Sequence, residues 1–292
     1  MSTTTEERGP RLRHEGYLVV ESLVSDDVVS GLRQRTADIA DGRVPYPAES
    51  IELEPEATGM SLASVRKLNH CAASDPVFAA HAAHPGILDV VELAIGPDIR
   101  LFSSQLFMKP PGGIEKTYHQ DLAYFPIEPL DLVTCWTALD DVTLENGCMW
   151  VIPGSHLWGD ETPDPYSADF VKVSMSAGSV VVFAGTLWHR GGANHSDANR
   201  LGITPQYCEP WARQLENMIL AVGPKARDYS DRIKSMLGYS ITPPFMGYVD
   251  GRHPMKCLDD DFDPASTGDG ARSEVFWDGE YRFRAVDATE GV

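Results

Sequence analysis

The chain has 292 residues, 42% of them apolar, and six tryptophans, enough to enclose one large core or two small ones. A formal net charge of −19 argues against nucleic acid and anionic membranes as partners, because phosphate binding needs clustered lysines and arginines; an acidic surface serves solubility and tolerates a cationic ligand. No apolar run approaches the ~20 residues that cross a bilayer, Met1 to Arg8 lacks a secretory pattern, and the five cysteines are scattered without a Cys-x-x-Cys, so a cytoplasmic protein with reduced, buried thiols is expected.

In chain order, residues 1–10 are expected to be disordered, and His14 to Glu21 reads as a short strand. Ser25 stands where an N-cap belongs, ahead of a helix from Val28 to about Ile39. Residues 45–60 carry Pro, Gly and Glu without periodicity and read as a loop. Helices follow over Asp75–His84 and Ile87–Ile95, the second ended by Gly96 and Pro97. From Ile99 onward short strands take over: Arg100–Met108, Thr117–Asp121, Val133–Leu139, Met149–Ile152, Val171–Val173, Ser179–Phe183, Leu187–His189 and Arg200–Tyr207. Turn signals at 110–113, 145–147, 153–154 and 177–178 separate them. About eight short strands at this spacing, behind a helical flank, predict an α+β fold with a sandwich or jelly-roll core. Tyr229–Leu237 reads as a final helix. The expected organisation is one domain over 1–292: disordered 1–10, helical flank 11–98, jelly-roll core 99–210, C-terminal helix and capping segment 211–258, and an acidic tail over 259–292.

The chemistry concentrates in two places. His119 and Asp121 lie two apart on a stretch read as strand, where residues i and i+2 share a face. His189 follows the Val- and Phe-rich strand Ser179–Phe183. Two imidazoles and one carboxylate around an ion with open positions is the ligand set of a non-haem Fe(II) oxygenase, although the same residue types also suit a zinc hydrolase. Arg200, eleven residues after His189, opens the next strand beyond a polar turn, and its planar guanidinium suits a carboxylate. His195 is the rival third ligand, but it sits within the turn; Asn194 and Ser196 are expected to satisfy turn backbone groups. On the strand around Phe102–Lys109, alternation puts Gln105, Phe107 and Lys109 on one face. Trp136 reads as core.

Three motifs taken together, His119-x-Asp121, the run Leu144 to His156, and His189 with Asn194, Ser196 and Arg200, resemble the phytanoyl-CoA dioxygenase family of Fe(II)/2-oxoglutarate-dependent oxygenases. The resemblance runs from about Gly16 to about Lys256. It implies a double-stranded β-helix (jelly-roll, cupin-like) core with flanking N-terminal helices, and Fe(II) held by His119, Asp121 and His189. It further implies 2-oxoglutarate as co-substrate, with its far carboxylate on Arg200 and with Gln105, Lys109 and Trp150 beside it, and O2 as oxidant. In such enzymes 2-oxoglutarate is decarboxylated to succinate as the substrate is oxidised. Related halogenases replace the carboxylate ligand with a small residue, so Asp121 implies hydroxylation or another oxidation.

The substrate walls are expected from the N-terminal flank, the loop after Asp121 and the C-terminal segment, with Lys67, Tyr124, Phe125 and Arg252 as candidates. No basic patch suits the phosphates of an acyl-CoA, so the expected substrate is a small polar metabolite or natural-product intermediate, amine- or sugar-derived. The competing readings are an acyl-CoA hydroxylase, a non-catalytic cupin-like binding protein, and a metal-dependent hydrolase, which has no use for Arg200. Nothing in the sequence demands an oligomer.

Overall fold

The computed structural model describes residues 5–55, 57–125, 132–159, 161–164, 170–242, 246–248 and 253–262. The chain divides into two compact units, 1–222 and 223–292.

The first unit opens with helices α1 (Thr5–Glu15), α2 (Asp26–Ala40), α3 (Cys71–Ser74), α4 (Pro76–Ala82) and α5 (Pro85–Ile95). Strands β1 (Tyr17–Val20), β2 (Ile51–Leu53) and β3 (Val65–Asn69) are interleaved with them. Residues 5–10, expected to be disordered, are helical: α1 packs on α5 and β1 and buries Leu12, and that tertiary contact outweighs a polar composition. Ser25 occupies the N-cap of α2 in extended backbone, yet its side chain makes no capping bond; Asp26 and Asp27 complement the helix dipole instead. Asp75 does cap α4, accepting from the Val77 N–H at 2.9 Å.

The strand-rich part follows: β4 (Arg100–Lys109), β5 (Lys116–His119), β6 (Leu132–Ala138), β7 (Met149–Val151), β8 (Val171–Val173), β9 (Val180–Ala184), β10 (His189–Gly191) and β11 (Arg200–Cys208), then the short helix α6 (Met218–Val222). They form a seven-stranded sheet in the order β1-β9-β6-β11-β4-β3-β2 and a four-stranded sheet in the order β5-β10-β7-β8. Every pairing is antiparallel. The two sheets share one core: Tyr17, Trp136, Val181 and Phe183 from the large sheet meet Val151 and Val173 from the small one. This is the jelly-roll layering that the strand spacing predicts.

The central strands β6 and β11 are buried along their whole length because both faces are covered. On β6, Trp136 enters the inter-sheet core, while Thr137 turns outward and pairs with His81 of α4 at 3.0 Å. Polar Thr134 and Gln206 lie on these strands, 1% and 6% exposed, and therefore need internal partners. The stretch read as a loop over 45–60 holds β2, and β3 follows it; β3 pairs with β4, and β2 pairs with β3 to form the edge of the sheet.

The second unit contains helix α7 (Asp231–Leu237), with the Ser230 hydroxyl accepting from Ile233 N–H at its start and Gly238 at φ 107° closing it. Of the C-terminal capping segment and acidic tail, residues 243–245, 249–252 and 263–292 lie outside the described residues, and Arg252 is among them.

Candidate metal centre

His119 ends β5 and His189 opens β10, and the two are direct register partners. Pairing places their rings 4.2 Å apart. The i, i+2 relation predicts Asp121 on the same strand as His119, and the structure corrects this. The strand stops at His119, and Asp121 begins a 3-10 turn, Asp121–Ala123. That turn is tied to the β9–β10 connection, by Gln120 Nε2 to the Thr186 carbonyl at 2.6 Å and by the Leu122 N–H to the Gly185 carbonyl at 3.1 Å. The turn brings the carboxylate back to the histidines.

One ligand atom from each of His119, Asp121 and His189 lies within 4.8 Å of the others, the one such group among the described residues. Asp121 Oδ1 is 3.8 Å from His119 Nε2 and 3.7 Å from His189 Nε2. Each imidazole is fixed from behind: His119 Nδ1 to the Thr117 carbonyl at 2.8 Å, His189 Nδ1 to the Leu187 carbonyl at 3.0 Å. A carbonyl only accepts, so both Nδ1 atoms carry the proton and both Nε2 lone pairs face Asp121. Burial, then the neighbouring His189, pushes the His119 pKa down to about 4. The ring is therefore neutral and able to ligate at pH 7. Two imidazoles and one carboxylate, with the rest of the sphere left to other molecules, fit a divalent iron. His195, the rival ligand, stays in the turn and bonds through its backbone N–H to the Glu145 carbonyl.

The opposite end of the inter-sheet space is cationic. Arg200 is 7% exposed, and its guanidinium lies 5.1 Å from the Trp136 ring. Its Nη2 donates to the Gly147 carbonyl at 3.2 Å, while its Nε is buried without a partner. Lys109 is the register partner of Arg200 on β4, and its Nζ donates to the Gly192 carbonyl. Burial and then Arg200 lower the Lys109 pKa to about 8; burial lowers that of Arg200 to about 10. Among the described residues neither cation makes an ion pair with a carboxylate. Two glycines make this end possible. A Cβ at Gly202 would meet the Trp136 indole at 2.0 Å, and one at Gly147 (φ +86°) would meet the Gly192 carbonyl at 2.4 Å. Asn194 and Ser196 hold the turn between, with Asn194 Nδ2 on the Lys109 and Ala198 carbonyls and Asn194 Oδ1 on the Ser196 N–H.

Between the two ends, Gln105 is the register partner of Thr204 and of Asn69, and Phe107 that of Gly202 and of Lys67. Lys67 Nζ lies 5.3 Å from the Phe107 ring centroid and 3.7 Å from Glu52 Oε1. Tyr124, 55% exposed, sets its ring 5.8 Å from that of His119, with Lys116 Nζ 5.2 Å from its centroid. Two expected residues are elsewhere. Phe125 packs edge-on to Phe102 in a small apolar cluster with Leu132 and Cys208, so it braces the loop. Trp150 pairs with Arg190, not with His189, which puts it on the alternate face of β7. Its indole lies beneath the Arg190 guanidinium at 3.7 Å, with Lys172 at 4.5 Å. The aromatic residue that does lie beside Arg200 is Trp136, which the sequence reads as core. Thr134 and Gln206, which hold Asp121, also escaped a reading by motif; counting by twos from Arg200 along β11 reaches Gln206.

A two-sheet jelly roll with two histidines and one carboxylate converging at one end and a buried arginine at the other defines the class of iron- and 2-oxoglutarate-dependent oxygenases. Residues 12–202 match the phytanoyl-CoA dioxygenase family, and the chain belongs to it. That family consists of Fe(II)/2-oxoglutarate-dependent dioxygenases, which are oxidoreductases. The chain is 30% identical over 223 residues to a probable phytanoyl-CoA dioxygenase of Caenorhabditis elegans, covering 66% of this chain and 71% of that protein. It is 30% identical over 220 residues to the peroxisomal phytanoyl-CoA dioxygenase of Rattus norvegicus, covering 66% of this chain and 64% of that protein, a little under two thirds of the rat protein's length. Among solved structures it is similar to the epimerase SnoN in complex with Fe3+, α-ketoglutarate and nogalamycin RO, with a TM-score of 0.61, 22% identity, and coverage of 78% of this chain and 92% of that one. At that identity the likeness is one of fold. No helix among the described residues is long and apolar enough to cross a membrane.

Proposed function

We propose that this protein is a working Fe(II)/2-oxoglutarate-dependent dioxygenase that oxidises a small polar molecule, a metabolite or natural-product intermediate, in preference to an acyl-CoA. The observation that carries the reading is the aim of both Nε2 lone pairs at a single Asp121 oxygen, with both Nδ1 protons already committed to backbone carbonyls.

His119 Nε2, His189 Nε2 and Asp121 Oδ1 would hold the iron. Bound iron supplies the activation of O2 and the redox chemistry. Arg200 and Lys109 receive the far carboxylate of 2-oxoglutarate: a buried arginine and a half-buried lysine that have no carboxylate partner among the described residues are electrostatically incomplete, and a dianion resolves this. Gln105 and Trp136 flank that co-substrate. The buried walls around it exclude water. Lys67, over the Phe107 ring, and Tyr124, beside His119, are the residues proposed to meet the substrate.

Two features favour a polar substrate. The net charge is −19, and Lys67 and Lys116 are partly engaged by Glu52 and Tyr124. The acyl-CoA reading draws its support from the names of the curated relatives. The test is anaerobic titration of Fe(II) and 2-oxoglutarate, watching for a weak visible charge-transfer band, followed by succinate release across a panel of polar amines, sugar derivatives and acyl-CoAs. No band, or a band retained in His119→Ala, ends the metal-centre assignment. Tighter binding and faster turnover with an acyl-CoA than with any polar amine ends the substrate assignment.

A further inference from the structure

Asp121 has more partners than a metal ligand needs. Its Oδ2 accepts from Thr134 Oγ1 at 2.5 Å and from Gln206 Nε2 at 2.9 Å. Behind them Ser103, 3% exposed, donates its hydroxyl to Gln206 Oε1 at 2.5 Å. That bond orients the amide, turning its NH2 toward Asp121, and the second N–H reaches Thr134 Oγ1 at 3.3 Å. One placement of protons satisfies the whole set. Ser103 gives to Gln206, Gln206 gives to Asp121 and Thr134, and Thr134 gives to Asp121. In that placement both lone pairs of Oδ2 are used. Oδ1 alone remains for an ion, on the side where the two histidine Nε2 atoms lie.

We infer that Thr134 and Gln206, with Ser103 behind them, are positioning residues that make Asp121 a one-oxygen ligand and thereby keep a coordination position open. The inference rests on the metal-centre reading above. Three protein atoms leave three positions on a six-coordinate ion. A keto acid bound through its carboxylate and keto oxygens would take two of them. Carboxylates bind metals through one oxygen or two; with its second oxygen released, Asp121 could hold an ion through both and would leave no position open. Two donors on Oδ2 prevent this, and hydrogen-bonding partners of this kind change metal-site behaviour by ~10- to 100-fold.

The test uses full-length metal-free protein loaded with Co(II), whose visible spectrum reports coordination and needs no turnover. The variants are Gln206→Met and Thr134→Val, which keep shape and remove a donor, Thr134→Ser, which restores it, and Ser103→Ala, which frees the amide. Expected are an altered Co(II) spectrum and 2-oxoglutarate binding weakened by ~10- to 100-fold in Gln206→Met and Thr134→Val, a smaller loss in Ser103→Ala, and parent behaviour in Thr134→Ser. A purely structural role predicts a lowered melting temperature of the metal-free protein with spectrum and 2-oxoglutarate affinity intact, and that result overturns the inference. If Thr134→Val does not fold, Gln206→Met and Ser103→Ala decide the matter alone, and parent-like spectra in both overturn it. Parent protein that fails to take up Co(II) in a His119-dependent way defeats the metal-centre reading itself, a different outcome from parent that binds and variants that do not differ.

Discussion

The two ends of the inter-sheet space are built on opposite principles. At the β5–β10 end, a carboxylate and two imidazoles gather with every rear atom hydrogen-bonded. At the β4–β11 end, Lys109 and Arg200 lie side by side with backbone carbonyls as their main partners. One end is arranged for a cation and the other for an anion, so a molecule with a chelating head and a distant carboxylate has a single favourable orientation. Specificity for such a co-substrate follows from charge placement more than from shape.

The largest way to break that contrast is to remove a metal ligand. His119→Ala or His189→Ala should bring turnover to background and lower Co(II) affinity by more than the ~100-fold typical of outer partners, as titration of metal-free protein would show. Next is the anionic end. Arg200→Ala should cost about 2 to 3 kcal/mol of 2-oxoglutarate binding, roughly a 30- to 150-fold rise in its KM, with metal affinity unchanged; a parallel loss of metal would mean that the two ends are not independent.

The helix-covered side of β6 serves as a control. His81 is 2% exposed, and burial pushes its pKa down to about 3. The folded state therefore keeps His81 neutral while the unfolded chain takes up a proton below pH 6.5. This contribution is complete above that pH and is lost as pH falls from 6.5 toward 3, reaching about 2 kcal/mol at pH 5. Urea midpoints at pH 7 and pH 5 should show the loss, and His81→Gln should reduce it while leaving the metal centre alone. The smallest effect belongs to the rim: Tyr124→Ala should change substrate KM by a few-fold, roughly 1 kcal/mol or less, and leave 2-oxoglutarate KM untouched.

Much of this arrangement was legible in the residues. His119, His189 and Arg200 stood out because a strand-end histidine, a polar turn and a strand-opening arginine are separated by fixed lengths of chain, and spacing survives folding. Asp121 was found for a reason that the structure replaces, since the convergence comes from a 3-10 turn and not from alternation. Trp150 was misplaced because its face depends on the register of β7 against β10, which sequence does not encode locally. Thr134 and Gln206 looked like stray polar residues in apolar strands, and only the meeting of β6, β11 and the Asp121 turn gives them a task. Strands β2 and β3 were hidden because they form by pairing outward from β4, β3 on β4 and β2 on β3, and not from their own composition. The helical start at residues 5–10 likewise depends on its packing partners.

The carbonyls of Thr117 and Leu187 have a practical consequence. They take up both Nδ1 atoms and so leave the two Nε2 atoms as the ligating ones, and imidazole nitrogen is a donor that iron, copper, nickel and zinc all accept. The intrinsic order of divalent affinities then governs occupancy, with copper, nickel and zinc ahead of ferrous iron. Protein recovered from ordinary media should carry a mixture of these ions, and zinc should act as an inhibitor competitive with iron.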